Sequence, residues 1–397
     1  MKEKRKIAFI AGQTLPIPAV KGGAIETLVT ALIEQNEKYG KYEFTVFCAY
    51  DKEACSKAKK YKFCKIIGVS NERCLKRCIN YIYRFIRKYI IKSLPFRTVY
   101  MEKVNKELEK QNYDCIICES TYVDAAQVNK KNNSKLIYHV HSDYLRRDTP
   151  EIQQILQKYD LFLGVSDFIS SKISLLSNRE IRVHTLKNAI DIGEYKINWD
   201  KRKIIRDEIR KQLNIENDIV VMFCGRLSPE KGCYELINAI EKIPNVTLVI
   251  VGGNTFSSDK KTKYIQKMYD EIKNIKNKVV FTGYVSHVDI YKYLFAADIG
   301  VVPSICNEAA SLTLLEFRAA GLQTIATKIG GIPEYASVST KLIPLDEEFV
   351  DKLSREIKLM CNKNLANANK DLLIDSFNYS SYYLNFVSEI EDLCKKE

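Results

Sequence analysis

Two glutamates, Glu308 and Glu316, stand eight positions apart in the stretch PSICNEAASLTLLEFRAAG (303–321), and only small, apolar and hydroxyl residues separate them. A carboxylate accepts hydroxyl hydrogen bonds in pairs, so two of them around one turn of chain suit a ligand rich in hydroxyls. The run IGVVPS just before them reads as a strand, and SLTLLEFRAAG reads as a helix with Ser311 near its N-cap and Gly321 as its stop. Glu308 then falls in a strand-to-helix loop at the carboxyl edge of a parallel sheet, the edge at which such sheets bind ligands. Glu316 falls about one and a half turns into the helix. Between them the helix start offers free N–H groups and a positive dipole end, which suit a phosphate. A capping glutamate followed by an unrelated glutamate on the helix face fits the same letters.

Three other stretches carry residues of the same kind of use. In FCGRLSPEKG (223–232) a strand ends in Gly225, and Arg226 and Lys231 follow in a Gly/Pro turn before the next helix. A guanidinium fork and a mobile ammonium together can neutralise a diphosphate, although either alone is an ordinary solvated loop cation. In GQTLPIPAVKGGAIETLV (12–29) Gly22 and Gly23 allow the backbone to approach a ligand just before a helix start. That loop is not G-x-G-x-x-G, so the dinucleotide fingerprint is absent. In YHVHSDYLRRD (138–148) His139 and His141 stand at a strand end and are expected with their side chains on opposite faces, and His141 is placed to hydrogen-bond a ligand hydroxyl. No D-x-D follows a strand, so no divalent cation on a diphosphate is expected.

The elements needed to position these residues are legible along the whole chain. Short, nearly continuous apolar runs alternate with helix-length segments: 6–12, 43–50, 115–120, 135–141, 161–166 and 181–190, then 219–227, 246–253, 279–285, 299–304, 324–331 and a weak 341–344. That alternation is the pattern of parallel strands buried on both faces. It predicts an α/β chain of two Rossmann-like, doubly wound domains. At 397 residues the chain exceeds one typical core. The expected division is 1–195, 196–375 and a terminal helix over 376–397 that packs back towards the first domain, with the linker at 191–200.

Composition narrows the classes further. No apolar run approaches the roughly 20 residues that span a bilayer. The basic, then apolar, N-terminus lacks a small-residue cleavage site and reads as a first strand. Twelve cysteines are scattered through apolar runs and are expected as free thiols in a reducing cytosol; Cys115 and Cys118, in DCIIC, read as core of a buried strand. The net charge of +13 points to an acidic partner, a nucleic acid, an anionic lipid or a phosphate-bearing substrate. Nucleic acid is disfavoured, because the basic residues cluster with aliphatics and not with a platform of aromatics. The densest cluster, CLKRCINYIYRFIRKYIIK (74–92), reads as an amphipathic helix with a basic face. It suits a membrane surface, or a core-facing helix with a solvated back.

Taken in order, GGAIE (22–26), His141, GVSDF (164–168), NAID (188–191), GRLSPEKG (225–232) and the E-x7-E of Glu308 and Glu316 resemble family 4 of the retaining glycosyltransferases over nearly the whole chain. The opening LPIPAVKGGAIE is similar to a bacterial subgroup of capsule and spore-coat types. The resemblance implies the GT-B architecture, two Rossmann-like domains facing a cleft. It implies that Arg226 and Lys231 hold a nucleotide diphosphate, Glu316 the ribose hydroxyls and Glu308 the donor sugar's hydroxyls. Backbone N–H groups at Gly22, Gly23, Ser311 and Leu312 would meet the donor, with His141 beside the sugar. It also implies retention of configuration, no metal, no cofactor beyond the nucleotide-sugar substrate, and no enzymic nucleophile. The family's usual pattern after the first Glu is close to Gly-Phe-Gly; here it is Ala309-Ala310-Ser311.

The expectation is therefore a cytoplasmic, membrane-peripheral transferase. It would move a sugar, UDP-linked, onto a growing surface glycan or a polyprenyl-diphosphate-linked saccharide. The rival readings are a nucleotide-sugar epimerase of the same shape and a non-catalytic coat or surface protein that retains the fold. The Ala309-Ala310-Ser311 departure is the best support for the second.

Overall fold

The computed structural model describes residues 3–70, 97–130, 133–216, 218–253, 262–273, 275–362 and 372–395. The chain divides into two compact units, residues 1–187 with 379–397, and residues 188–378. Segment 74–92, expected to be a basic helix, lies outside the described residues.

The first unit is built on β1 (Lys6–Ile10), β2 (Glu43–Ala49), β3 (Cys64–Val69), β4 (Cys115–Cys118), β5 (Lys135–Val140), β6 (Leu161–Gly164) and β7 (Val183–Thr185). They form one sheet in the order β3-β2-β1-β4-β5-β6-β7, with every pair parallel. The second unit carries β8 (Ile219–Cys224), β9 (Val246–Val251), β10 (Val279–Gly283), β11 (Ile299–Val302), β12 (Gln323–Thr327) and β13 (Lys341–Ile343). Their order is β10-β9-β8-β11-β12-β13, again all parallel. Each sheet reverses its direction of growth at its middle, between β1 and β4 in one unit and between β8 and β11 in the other. Those are the two switch points where ligands enter such folds.

Burial on both faces explains the unbroken apolar runs. In β8 and β9, Val221, Phe223, Leu248 and Ile250 face one core cluster, while Val220, Met222, Val249 and Val251 face the other. Each such side chain withdrawn from water stabilises the unit by about 1.5–3 kcal/mol. Two expectations need correction. Strand β3 is half-covered at the edge of the sheet, so its apolar residues are not continuous and the sequence criterion passes over it. The run 181–190 yields only the three residues of β7.

The terminal helix, Tyr379–Lys395, belongs to the first unit. Its Tyr383 stacks on Tyr39 at 5.2 Å and Phe386 on Phe9 at 5.9 Å, and Tyr383 donates a 2.8 Å hydrogen bond to Asn36. The chain thus leaves the first unit after residue 187 and re-enters it at 379. Among the described residues no helix is long and apolar enough to cross a membrane.

Candidate active site

In the second unit the two strands that flank the switch point, β8 and β11, deliver the first pair of expected site residues. After β8 the chain makes a short turn over Pro229–Lys231 and leaves it through Gly232, at φ 68°. A Cβ on Gly232 would lie 1.8 Å from the Pro303 carbonyl oxygen, so only glycine lets the two loops touch backbone to backbone. The Ile305 N–H donates to the Glu230 carbonyl across the same contact, at 3.0 Å. This close approach brings Lys231 Nζ within 2.8 Å of Glu308 Oε1. The Ser304 hydroxyl donates to the same oxygen. The loop after β12 closes the third side, where the Gly331 N–H donates to the Glu308 carbonyl at 2.7 Å. Glu308 is therefore a buried carboxylate whose charge is matched by one ammonium. Arg226, more than half exposed, makes a 3.8 Å pair with Glu230.

Ser311 caps the helix Leu312–Ala319: its hydroxyl accepts the Leu314 N–H at 3.3 Å. Its φ of −112° and ψ of 93° are open to any residue, so serine sits without strain where the resembling family has glycine. The first N–H groups of a helix, here those of Leu312 and Thr313, have no acceptor within it. Glu316 follows as the helix's fifth residue and is buried. Its Oε1 accepts from Nε2 of His287, which opens the helix after β10, at 3.0 Å. The hydrogen bond to Glu316, opposed by partial burial, leads the causes that raise His287 above its usual 6.5, and the charges of Glu316, Glu194 and Asp191 add to it. The sequence reading did not pick out His287; its place at the strand-to-helix edge of GYVSHVD was the available signal.

The first unit's switch point is made differently. Gly23, at φ 104°, precedes the first helix, Ala24–Tyr39, and a Cβ there would meet Glu26 Oε2 at 2.1 Å. Gly22, at φ 73°, shares this loop. Burial, with Glu119 nearby, raises the Glu26 carboxyl above its usual value. Glu119, which immediately follows β4, is the residue that sequence reading missed altogether. It is wholly buried, and its Oε2 lies 2.9 Å from His139 Nδ1 and 2.6 Å from His141 Nε2. Burial opposes its ionisation, but the two imidazoles outweigh burial and hold the carboxyl at about 2. Burial, then His139, push His141 below its usual value, although its Nε2 lies against the Glu119 carboxylate. The expected opposite facing of His139 and His141 is therefore wrong. Residues two apart along a strand share a face, and the two rings, at the end of β5, converge on one oxygen with centroids 4.1 Å apart.

Among the described residues, Glu119, His139 and His141 are the group whose donor atoms gather closely enough for a metal, all within 4.8 Å of one another. A ligating histidine normally gives its other ring nitrogen to a hydrogen-bond partner, and His139 Nε2 is buried without one. A hydrogen-bonded carboxylate with two imidazole donors accounts for the contacts that are present.

Residues 205–371 match the family model for glycosyl transferases group 1. A putative glycosyltransferase, YtcC of Bacillus subtilis, is 26% identical over 96% of this chain and 91% of its own length. Spore coat protein SA of the same organism is 26% identical over 83% of this chain and 82% of its own. The solved structure of Anabaena HepE in complex with UDP and glucose superposes with a TM-score of 0.72, covering 98% of this chain and all of that one at 20% identity. At that identity the superposition speaks for the fold. With a group 1 glycosyl transferase domain lying wholly inside the second unit, this chain is a glycosyltransferase of the GT-B fold.

Proposed function

We propose that this glycosyltransferase moves a sugar from a UDP-linked donor to a saccharide acceptor, with retention of configuration and without a metal. The observation that carries the reading is the convergence on Glu308 of Lys231 and Ser304 at the β8/β11 switch point, next to a capped helix start whose fifth residue is Glu316. The UDP bound to the HepE relative supports that choice of donor.

In this reading a nucleoside diphosphate lays its phosphates against the N–H groups of Leu312 and Thr313. Arg226 and Lys231 neutralise them. Lys231 then divides its charge between the diphosphate and Glu308, and Glu308 gains a lone pair for the sugar's hydroxyls. Glu316 takes the ribose hydroxyls on the oxygen that His287 leaves open. As the glycosidic bond to phosphate breaks, negative charge grows on the leaving oxygen, and the two cations and the helix dipole stabilise it in place of a metal ion. An oxocarbenium-like centre attacked on the face the diphosphate leaves needs no enzymic nucleophile and retains the configuration. The expected acceptor is a lipid-linked or growing surface glycan, the partner that suits the basic segment 74–92, with the enzyme cytoplasmic and peripheral on the membrane.

Thermal unfolding of the purified chain with UDP, GDP or ADP, in buffer containing EDTA, tests the donor reading. A nucleotide at about 100 times its dissociation constant stabilises by about 2.7 kcal/mol. A shift with UDP supports the proposal, a shift with another nucleotide moves the donor class, and no shift with any of them removes the site.

A further inference from the structure

Away from both switch points, two reactive groups meet between the start of β4 and the last turn of the terminal helix. Cys115 Sγ and Cys394 Sγ stand 3.6 Å apart, although the residues are 279 positions apart in the chain. Both are free thiols; Cys115 is buried and Cys394 is half-buried. The helix turn that carries Cys394 is held in place by Arg5 on Glu391, at 2.7 Å, and by Arg182 on Asp392. We propose that Cys394 is an oxidation site for hydroperoxides, and that Cys115 resolves it into an intramolecular disulfide.

The two thiols differ in the way this chemistry needs. The hydrogen bond between the two sulfurs, opposed by burial and helped by the Arg5 guanidinium, lowers the thiol of Cys394, the more exposed of the pair, below its usual value. The proton stays on Cys115, which that hydrogen bond and burial push well up. Thiolate is the nucleophile, so Cys394 is the sulfur that attacks. Its attack on a hydroperoxide ROOH breaks the O–O bond, giving a sulfenic acid at Cys394 and releasing RO⁻, which is hydroxide when the oxidant is hydrogen peroxide. Cys115 then displaces the sulfenic oxygen, the S–S bond forms, and its thiol proton leaves with that oxygen as water. Two electrons pass from the thiol pair to the peroxide. A disulfide needs its sulfurs about 2.05 Å apart, so they must close by roughly 1.5 Å, within the reach of side-chain rotation and a small shift of the last helical turn.

The consequence is topological. The loop closed between 115 and 394 contains all of residues 188–378, the entire second unit. A cross-link over so long a loop removes much freedom from the unfolded chain and ties down the helix that carries the chain back into the first unit.

The test uses the full chain, reduced, freed of reductant and treated with hydrogen peroxide. Peptide mapping is expected to find a 115–394 linked peptide with a loss of 2 Da. The melting midpoint should rise by about 5 °C or more and return on reduction. In Cys115→Ser the sulfenic acid persists at Cys394 and is trapped by dimedone, and in Cys394→Ser neither product forms. Oxidation spread over other cysteines, with no 115–394 peptide in the wild-type chain, overturns the proposal without any variant. A linked peptide with an unchanged midpoint would keep the modification site and remove the staple.

Discussion

Glu119 and Glu308, one buried glutamate from the carboxyl edge of each sheet, are held by opposite means. In the second unit Glu308 faces the ammonium of Lys231, and Arg226, in the turn that carries Lys231, makes a loose 3.8 Å pair with Glu230. In the first unit Glu119 faces two imidazoles that are themselves buried. A cation on a flexible stem can be shared with an incoming anion, whereas a carboxylate locked by two ring N–H groups has nothing to release. The second edge is built to exchange partners, and the first to hold one ring, His141, in one orientation.

The sharpest way to break this contrast is Glu308→Gln. The amide keeps the size and the bond from Ser304 but cannot balance Lys231 or accept as strongly from sugar hydroxyls. Transfer should fall by about a hundredfold or more, while the melting midpoint stays within a few degrees. Wild-type turnover in this variant would remove Glu308 from the mechanism. Lys231→Ala comes next. UDP affinity, measured by calorimetry, should drop by roughly tenfold to a hundredfold, because a charge-assisted contact is lost and Glu308 then repels the diphosphate. If Lys231→Ala binds UDP as the wild type does, the ammonium serves only its neighbour.

How much of this was readable beforehand depended on the distance over which each contact acts. The alternation of apolar runs with helices identified two parallel-sheet units, because burial on both faces leaves its mark within six residues. Ser311 as a cap and Gly321 as a stop were equally local: the serine hydroxyl reaches three residues along, and Gly321 takes φ 71° one residue past the C-cap. Lys231 and Glu308 were each singled out, but their contact was not, since it hangs on Gly232 touching Pro303 in a loop 71 residues further on. Glu119 escaped because CIICES reads as one more buried strand, and nothing in its neighbours announces the two histidines some twenty residues later. His287 carried a local signal in its strand-to-helix edge, but its partner Glu316 lies 29 residues further on. Strand order, which decides which loops become adjacent, is not written in any single run.

On the first unit's side of the contrast, Glu119→Gln should show in stability more than in nucleotide affinity. The carboxyl sits at about 2 in the folded chain against an ordinary 4.5. A depressed value contributes stability that is present above pH 4.5 and is lost as pH falls towards 2. The variant should therefore lose on the order of 1–3 kcal/mol at neutral pH and show a flatter acid limb. If nucleotide affinity falls instead while the acid limb is unchanged, Glu119 is no longer a local clasp.

The smallest expected effect concerns the one imidazole that does meet a carboxylate at the second unit's edge. His287 is half-exposed, and Glu316, Glu194 and Asp191 hold it above 6.5. Asp289, in its own helix, stands close by in sequence and pairs with Lys292 at 2.6 Å. A raised value contributes stability that is fully present below pH 6.5 and is lost as pH rises through the folded value. Unfolding followed from pH 5.5 to 8.5 should show that slight decline in the wild type and none in His287→Ala. UDP affinity separates two further roles. If His287 only orients Glu316, the alanine variant weakens UDP while 2′-deoxy-UDP, which lacks one of the hydroxyls Glu316 would accept from, is weakened less. Equal weakening of both nucleotides would mean that the imidazole acts on the phosphates or the fold, and the likeness between its pairing and that of Glu119 would then be one of geometry alone.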